Sequence, residues 1–293
     1  MELPASTREP VPVHSDLIYD VGMHNGDDTA YYLTQGFRVL GIEADPELAN
    51  ACRRRFAAAV ESGRLTILNV GVAGENGIGT FWICETNSVW NSFYRPVASK
   101  NGSAHHSIEI QTQRFDDILR RFGIPIYLKI DIEGYDPLCL EALRRTPLPN
   151  FISAEDQGID EKLGLPAILV LLQDIGYRYF KAVSQSDFAP LFRWNPQWLA
   201  RGLKSAASGR LRIPAVSRVA KYMTFKNTLA RRNGGYRFPV GSSGPWGDGI
   251  PGRWVTFEEA CRFYNSGRTN HFPKTGVAES YSSLWYDWHA KVS

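Results

Sequence analysis

Between residues 17 and 183 short apolar runs alternate with helical segments, and this alternation narrows the possible folds more than any other feature. Leu17-Ile-Tyr-Asp-Val21 predicts a strand. Asp27 to Gly36 predicts a helix with two acidic residues in its first turn and a glycine at its end. Arg38 to Glu43 predicts the next strand, and Pro46 to Val60 a helix with Asp45 as N-cap and proline at its first position. Leu65 to Val70 predicts a third strand. Gly79 to Glu85 and Ser107 to Gln113 alternate in polarity, as strands covered on one face do, and flank a polar loop over residues 86–106. Helices are expected over Phe115–Phe122, Pro137–Arg145 and Glu161–Ile175, with strands over Ile126–Ile132, Phe151–Ala154 and Tyr177–Val183. Strands and helices in this order imply right-handed βαβ units and a mostly parallel, doubly wound α/β sheet.

Charge divides the chain. The net +3 of the 293 residues conceals 25 acidic and 17 basic side chains over residues 1–187, then 11 basic and no acidic ones over 188–247. The division suggests an α/β domain over 1–187 and a basic, Trp-rich C-terminal extension over 188–293, acting as a substrate cover or docking segment. The four cysteines form no CxxC pair, which argues against a zinc module and a disulfide framework. The longest apolar run, Ala167 to Leu172, is too short to span a bilayer, and the first ten residues lack the apolar centre of a signal peptide. A soluble, cytoplasmic protein is the expectation.

The first strand runs into Asp20-Val-Gly-Met-His-Asn-Gly26 and then Asp27-Asp28-Thr29 at a helix start. Glycines at 22 and 26 let backbone approach a ligand. The spacing is GxxxG rather than the dinucleotide GxGxxG, and Asp27 and Asp28 would repel a diphosphate. A ligand bearing an ammonium and no phosphate suits the loop better. S-adenosylmethionine is such a ligand: its amino group can meet Asp20 or nearby carbonyls, and its carboxylate the amides around Gly22, Asn25, Gly26 and Thr29. Glu43 ends the second strand where a carboxylate can take both ribose hydroxyls, with Ala44 beside it; a solvated strand end is the alternative. Gly71 and Val72 follow the third strand, and small residues there either leave room for adenine or form a plain turn. Lys129, Asp131 and Glu133 alternate with Ile130 and Ile132 near the end of a buried strand, as a ligand site or as an ion-pair network.

These residues carry a family resemblance. Asp20-x-Gly-x-x-x-Gly26, Glu43-x-x-Pro46, the Ser92 loop and above all Leu128-Lys-Ile-Asp-Ile-Glu-Gly-Tyr135 resemble FkbM methyltransferases over roughly residues 15–185. The resemblance implies a Rossmann-like class I methyltransferase fold and S-adenosylmethionine as methyl donor. It also implies O-methylation of sugar or other natural-product hydroxyls, with amide nitrogens and carboxylates methylated by some relatives. His24 departs from the family, which often has a small or apolar residue there.

Methyl transfer to a hydroxyl needs in-line placement and a base. Asp131, Glu133 and Glu155 are the catalytic candidates, since clustered carboxylates raise one another's pKa. His24 is an alternative base or a hydrogen-bonded structural residue. Asp131 with Glu155 and Asp156 also resembles the layout of metal-dependent O-methyltransferases, which hold a divalent ion with carboxylate oxygens, a reading less favoured than a metal-free site. Ser92 reads as an acceptor contact or a turn cap.

The basic segment holds Arg193, Arg201, Lys204, Arg210, Arg212, Arg218, Lys221, Lys226, Arg231, Arg232 and Arg237, with Trp194, Trp198 and Tyr222 among them. It suggests docking on the acidic domain or an anionic acceptor; without an RNA-binding signature, nucleic acid is disfavoured. Thr256 is expected to cap a helix through Tyr264, and Trp285 to Ala290 is expected to form a Trp-rich helix from which Asp287 and His289 can reach the acceptor. The partner is a small-molecule acceptor, sugar-like or anionic. A non-catalytic S-adenosylmethionine- or nucleic-acid-binding module is the alternative from another class.

Overall fold

The computed structural model describes residues 11–156, 158–185, 188, 227–239, 242–270 and 286–293. Strand β1 (Val13–Val21) buries its last five residues and leads through the Gly22–Gly26 loop into helix α1 (Asp27–Thr34). Gly26 sits immediately before α1 in the left-handed region, at φ 82°. Strand β2 (Arg38–Ile42) is followed by α2 (Pro46–Arg55), whose cap Asp45 accepts the Glu47 and Leu48 N–H groups. The expected helix over 46–60 breaks at Phe56 (φ −114°, ψ 29°), and its remainder is α3 (Ala57–Glu61). Strand β3 (Leu65–Leu68) completes this half.

A small second sheet comes next. Strands β4 (Gly71–Val72) and β5 (Gly77–Cys84), helix α4 (Arg95–Ala98) and strand β6 (His105–Gln113) build a three-stranded sheet in the order β4-β6-β5. The loop between β5 and β6 is more structured than its polar composition implies. Besides α4 it holds 3₁₀ turns at Ser88–Trp90 and Lys100–Gly102, and Ser92 bridges back to Trp82 of β5.

Helix α5 (Phe115–Phe122), strand β7 (Ile124–Ile130), helix α6 (Asp136–Ala142) and strand β8 (Phe151–Glu155) return to the main sheet. The helix expected from Glu161 begins later: β9 (Ile159–Asp160) and β10 (Leu165–Pro166) form a hairpin, and α7 (Ala167–Ile175) follows it. Then come β11 (Tyr179–Ser184), β12 (Val255–Thr256), α8 (Phe257–Asn270) and β13 (Tyr286–Lys291).

β13 overturns the expected C-terminal helix. Tyr286, Trp288 and Ala290 face the core while Asp287, His289 and Lys291 alternate with them, a period of two that suits a strand. The strand fills the gap between β8 and β11, antiparallel to both.

The main sheet has the order β12-β11-β13-β8-β7-β1-β2-β3. The five strands from β8 to β3 are parallel. The chain winds one way from β1 through β2 to β3 and the other way through β7 to β8, so β1 and β7 border the switch point where open α/β sheets bind ligands. Helices α5, α6, α7 and α8 cover one face, packing Leu119, Leu140, Leu169 and Ala260 with Leu128, Ile152 and Trp288. The other face carries Tyr32 of α1 and Cys52 of α2 against Ile18 and Tyr127. Trp246 extends that layer, stacked on Tyr127 at 5.0 Å and 7°. The sheet therefore takes strands from both 1–187 and 188–293. Of the eleven basic residues in the 188–247 stretch, only Arg231, Arg232 and Arg237 fall among the described residues. No helix among the described residues is long and apolar enough to cross a membrane.

Candidate active site

A pocket opens at the carboxyl ends of β1, β2 and β7, lined by Gly22–Asn25, Glu43 and Ala44, Gly71 and Val72, and Asp131 to Glu133. The β1 loop forms its floor. Gly22 has φ 77°, and a Cβ there would lie 1.8 Å from the Asp131 carbonyl oxygen. The backbone after β1 thus touches the backbone after β7, which only glycine permits. The Gly22 and Met23 N–H groups both donate to the Ile42 carbonyl at 3.0 Å, tying the loop to β2 as well.

Asp20 and Thr29 sit behind this loop. Both are fully buried, and the Thr29 hydroxyl donates to Asp20 Oδ2 at 2.6 Å. Neither lines the pocket; they brace the loop from beneath. Asn25 accepts the Asp27 N–H and donates to the Asp27 carboxylate, both at 3.0 Å. Gly26 faces Phe56, whose ring would lie 2.5 Å from an added Cβ.

The hub of the site is Lys129, a residue singled out in the sequence only as one charge among three. Its buried ammonium donates to the Gly22 carbonyl at 2.8 Å. It lies 3.2 Å from Asp20, 3.7 Å from Asp131 and 3.9 Å from Asp28. Burial works against the ammonium, but Asp20, Asp131 and Asp28 more than offset it and raise its pKa. Lys129 is therefore a fixed positive charge joining the β1 loop to the end of β7.

Glu43 is held from both sides: Oε2 accepts the His24 N–H at 2.7 Å and Oε1 the Asp45 N–H at 2.8 Å. Burial pushes its pKa up to about 7 against those two bonds. Each oxygen keeps a second lone pair for a ligand hydroxyl. Asn69 fixes the chain here by donating to the Glu43 and Ala44 carbonyls. At Gly71 the space of the absent side chain is filled by Phe93, whose ring would lie 2.4 Å from an added Cβ. Gly71, Val72, Phe81 and Phe93 line the pocket together, with Phe81 edge-on to Phe93 at 5.1 Å.

Beyond the pocket floor the carboxylates gather. Asp131, Glu133 and Glu155 each offer an oxygen within 4.8 Å of the others. Burial, then Asp131, pushes Glu133 up to about 8. Burial, then Asp131 and Glu133, raises Glu155 as well. Asp287 of β13 lies opposite Glu155 in register, is buried, and accepts from Gln185 at 2.5 Å. Asp287 was expected to reach the acceptor from a helix; it joins this group from strand β13 instead. Asp156 stands apart from the three carboxylates, since its oxygens accept from the Tyr286 hydroxyl and the Trp288 indole. His24 lines the pocket with Nε2 2.8 Å from Ser88 Oγ, and burial, then Lys129, lowers its pKa.

A family profile described as the methyltransferase FkbM domain matches residues 20–179, from the end of β1 to the start of β11. The chain belongs to the FkbM methyltransferase family. It is thus an S-adenosylmethionine-dependent methyltransferase. Among solved structures this FkbM methyltransferase is similar to a precorrin-6y C5,15-methyltransferase from Geobacter metallireducens, with 13% identity, 60% of this chain and 71% of that one covered, and a TM-score of 0.32. It is also similar to a StiE O-MT, with 15% identity, 75% and 64% covered, and a TM-score of 0.33. No curated protein matches it.

The residues present fit the donor that the family uses. The Gly22 cradle admits only backbone, the buried Glu43 presents acceptor oxygens to the pocket, and carboxylates dominate the charge around it. That chemistry suits a ligand rich in hydroxyls and positive charge.

Proposed function

We propose that this FkbM methyltransferase methylates a hydroxyl of a small sugar-like or other natural-product acceptor. The observation that carries the reading is the carboxylate group at the pocket's edge, where Glu133 has its pKa raised to about 8 beside Asp131 and Glu155. A carboxylate so tuned takes a proton from a hydroxyl more readily than an ordinary one.

When bound, S-adenosylmethionine supplies an electrophilic methyl on a sulfonium. In the proposed arrangement Glu43 takes ribose hydroxyls, and backbone groups from Gly22 to Asn25 meet the amino-acid end. Gly71 and Val72 border the adenine side together with Phe93. Lys129 keeps the β1 loop and Asp131 in place. Glu133 would accept the acceptor's proton as the C–O bond forms and the methyl–sulfur bond breaks, and burial with the neighbouring Asp131 charge favours keeping that proton.

Glu133→Gln tests this assignment. Turnover should fall by about 10²–10⁴-fold, with donor affinity measured by calorimetry unchanged within a few-fold. A mutant with wild-type turnover would sink it. Acceptors are found by screening hydroxyl-, amine- and carboxyl-bearing compounds with isotope-labelled donor; methylation confined to amines or carboxylates would overturn O-methylation. The three carboxylates also suit a hard divalent cation. Turnover that survives exhaustive chelation is the expected result, and its loss with recovery on adding Mg²⁺ would favour the metal reading.

A further inference from the structure

The loop between β5 and β6 is tied to three strand-end loops by three polar contacts. Ser88 Oγ lies 2.8 Å from His24 Nε2, after β1. Asn91 donates to Asp45 at 2.9 Å, after β2. Ser92 donates its hydroxyl to the Glu133 carbonyl at 3.1 Å, after β7. The third contact bears on catalysis.

Glu133 has φ 49°, and Gly134 follows at φ 103°. A non-glycine residue in the left-handed region is disfavoured and persists only where its surroundings enforce it. The enforcing surroundings are the three residues Ser92-Phe93-Tyr94. Ser92 is 1% exposed, and its backbone exchanges hydrogen bonds with Trp82 at 2.9 and 3.0 Å, so its hydroxyl hangs from a rigid strand. The same oxygen accepts the Tyr94 N–H at 3.0 Å. The Tyr94 ring lies against Gly134, where a Cβ would meet it at 3.1 Å. Phe93 and Tyr94 flank Tyr135 at 4.8 and 4.9 Å. Residues 92–94 thus grip residues 133–135 one by one.

We propose that Ser92 is a positioning residue: its hydroxyl, donated to the Glu133 carbonyl, holds the turn that keeps the Glu133 carboxylate beside Asp131 and Glu155. This rests on the reading of Glu133 as the base. Released from the grip, the turn relaxes toward an ordinary backbone conformation and the carboxylate swings toward solvent. It then loses both the burial and the neighbouring Asp131 charge that raise its pKa.

The test compares Ser92→Ala and Ser92→Thr with the parent enzyme, measuring kcat against pH, KM for the donor, and donor affinity. Ser92→Ala should lower kcat at least tenfold with donor affinity within twofold, and its acid limb in kcat should move down by about one pH unit. Ser92→Thr, which keeps the hydroxyl, should restore the limb. A Ser92→Ala enzyme with parental kcat and an unmoved limb overturns the proposal, as does a loss of rate with no shift in the limb. Should Ser92→Ala not fold, Ser92→Cys, which keeps the shape and weakens the donor, takes its place, and the same two outcomes decide. Glu133→Gln separates the layers: full turnover there rejects the base, whereas an essential Glu133 with an indifferent Ser92 rejects only the positioning role.

Discussion

At the scale of single residues, the chemistry depends on contacts between loops far apart in sequence. Gly22 shows this most simply. Alanine there would adopt φ 77° and drive its Cβ to 1.8 Å from the Asp131 carbonyl. The left-handed backbone alone costs about 1–2 kcal/mol, and relieving the clash must part β1 from β7. Gly22→Ala should therefore lower the urea midpoint and weaken S-adenosylmethionine binding more than tenfold by calorimetry. Donor binding at the parental level would show that the loop does not cradle it. The glycine spacing was legible in the sequence, but its cause was not, because the obstructing oxygen belongs to another strand. Lys129 was likewise visible as a charge on a buried strand; that it serves the Gly22 carbonyl and three carboxylates is a fact of three-dimensional convergence. Asp20 and Thr29 show the converse. Their types, at the end of β1 and in the first turn of α1, suggested donor contacts, yet they hydrogen-bond to each other and are not among the residues lining the pocket.

At the scale of elements, the parallel half of the sheet was readable because strands buried on both faces are continuous apolar runs bounded by caps and glycines. β13 was not, because two tryptophans three residues apart imitate a helical face. The strand delivers opposite goods to its two faces. Asp287 joins the carboxylates, while Trp288 is fully buried against α5–α8 and donates its indole N–H to Asp156 at 3.1 Å. His289 lies one register step deeper, opposite Ser153 and Lys181, buried with neither ring nitrogen hydrogen-bonded. Burial, then Lys181, lowers its pKa to about 3, so it remains neutral packing beneath the site. Removing the Trp288 ring should cost about 3–5 kcal/mol. Trp288→Ala should accordingly lower the urea midpoint sharply, and a loss under 1 kcal/mol would mean that β13 is not a core strand. The β5–β6 loop was hidden for a different reason. Its polar composition is that of a solvated loop, but its polar groups are spent on His24, Asp45 and Glu133 rather than on water.

At the scale of the whole molecule, the carboxylates concentrated around one pocket set how stability responds to pH. Burial raises Glu43 to about 7 and Glu133 to about 8, and it raises Asp28, Glu155 and Asp287 as well. In the unfolded chain these groups are already ionised above pH 6, with pKa values near 4. Between pH 6.5 and 7.5 the folded enzyme thus binds more protons than the unfolded chain, and stability falls as pH rises. His24 and His289 have lowered pKa values and work the other way: the unfolded imidazoles shed their remaining protons between pH 6.5 and 7.5, which offsets part of the drop from the five carboxylates. Asp28 carries the same charge problem into the C-terminal segment. Its two oxygens accept the Ser243 N–H at 3.0 Å, while Tyr31 beside it in α1 donates to Asn233 at 2.7 Å. Ionising the pocket and holding the segment around Ser243 therefore share one carboxylate. A ligand with a fixed sulfonium charge should relieve this burden, since it favours the ionised carboxylates and depresses their pKa values. The urea midpoint of the free enzyme should drop from pH 6.5 to 7.5, the drop should shrink in saturating S-adenosylmethionine, and donor affinity should tighten over the same interval. Parallel pH slopes with and without donor would mean that the carboxylates do not face its charge, and the pocket would then have to bind the donor elsewhere.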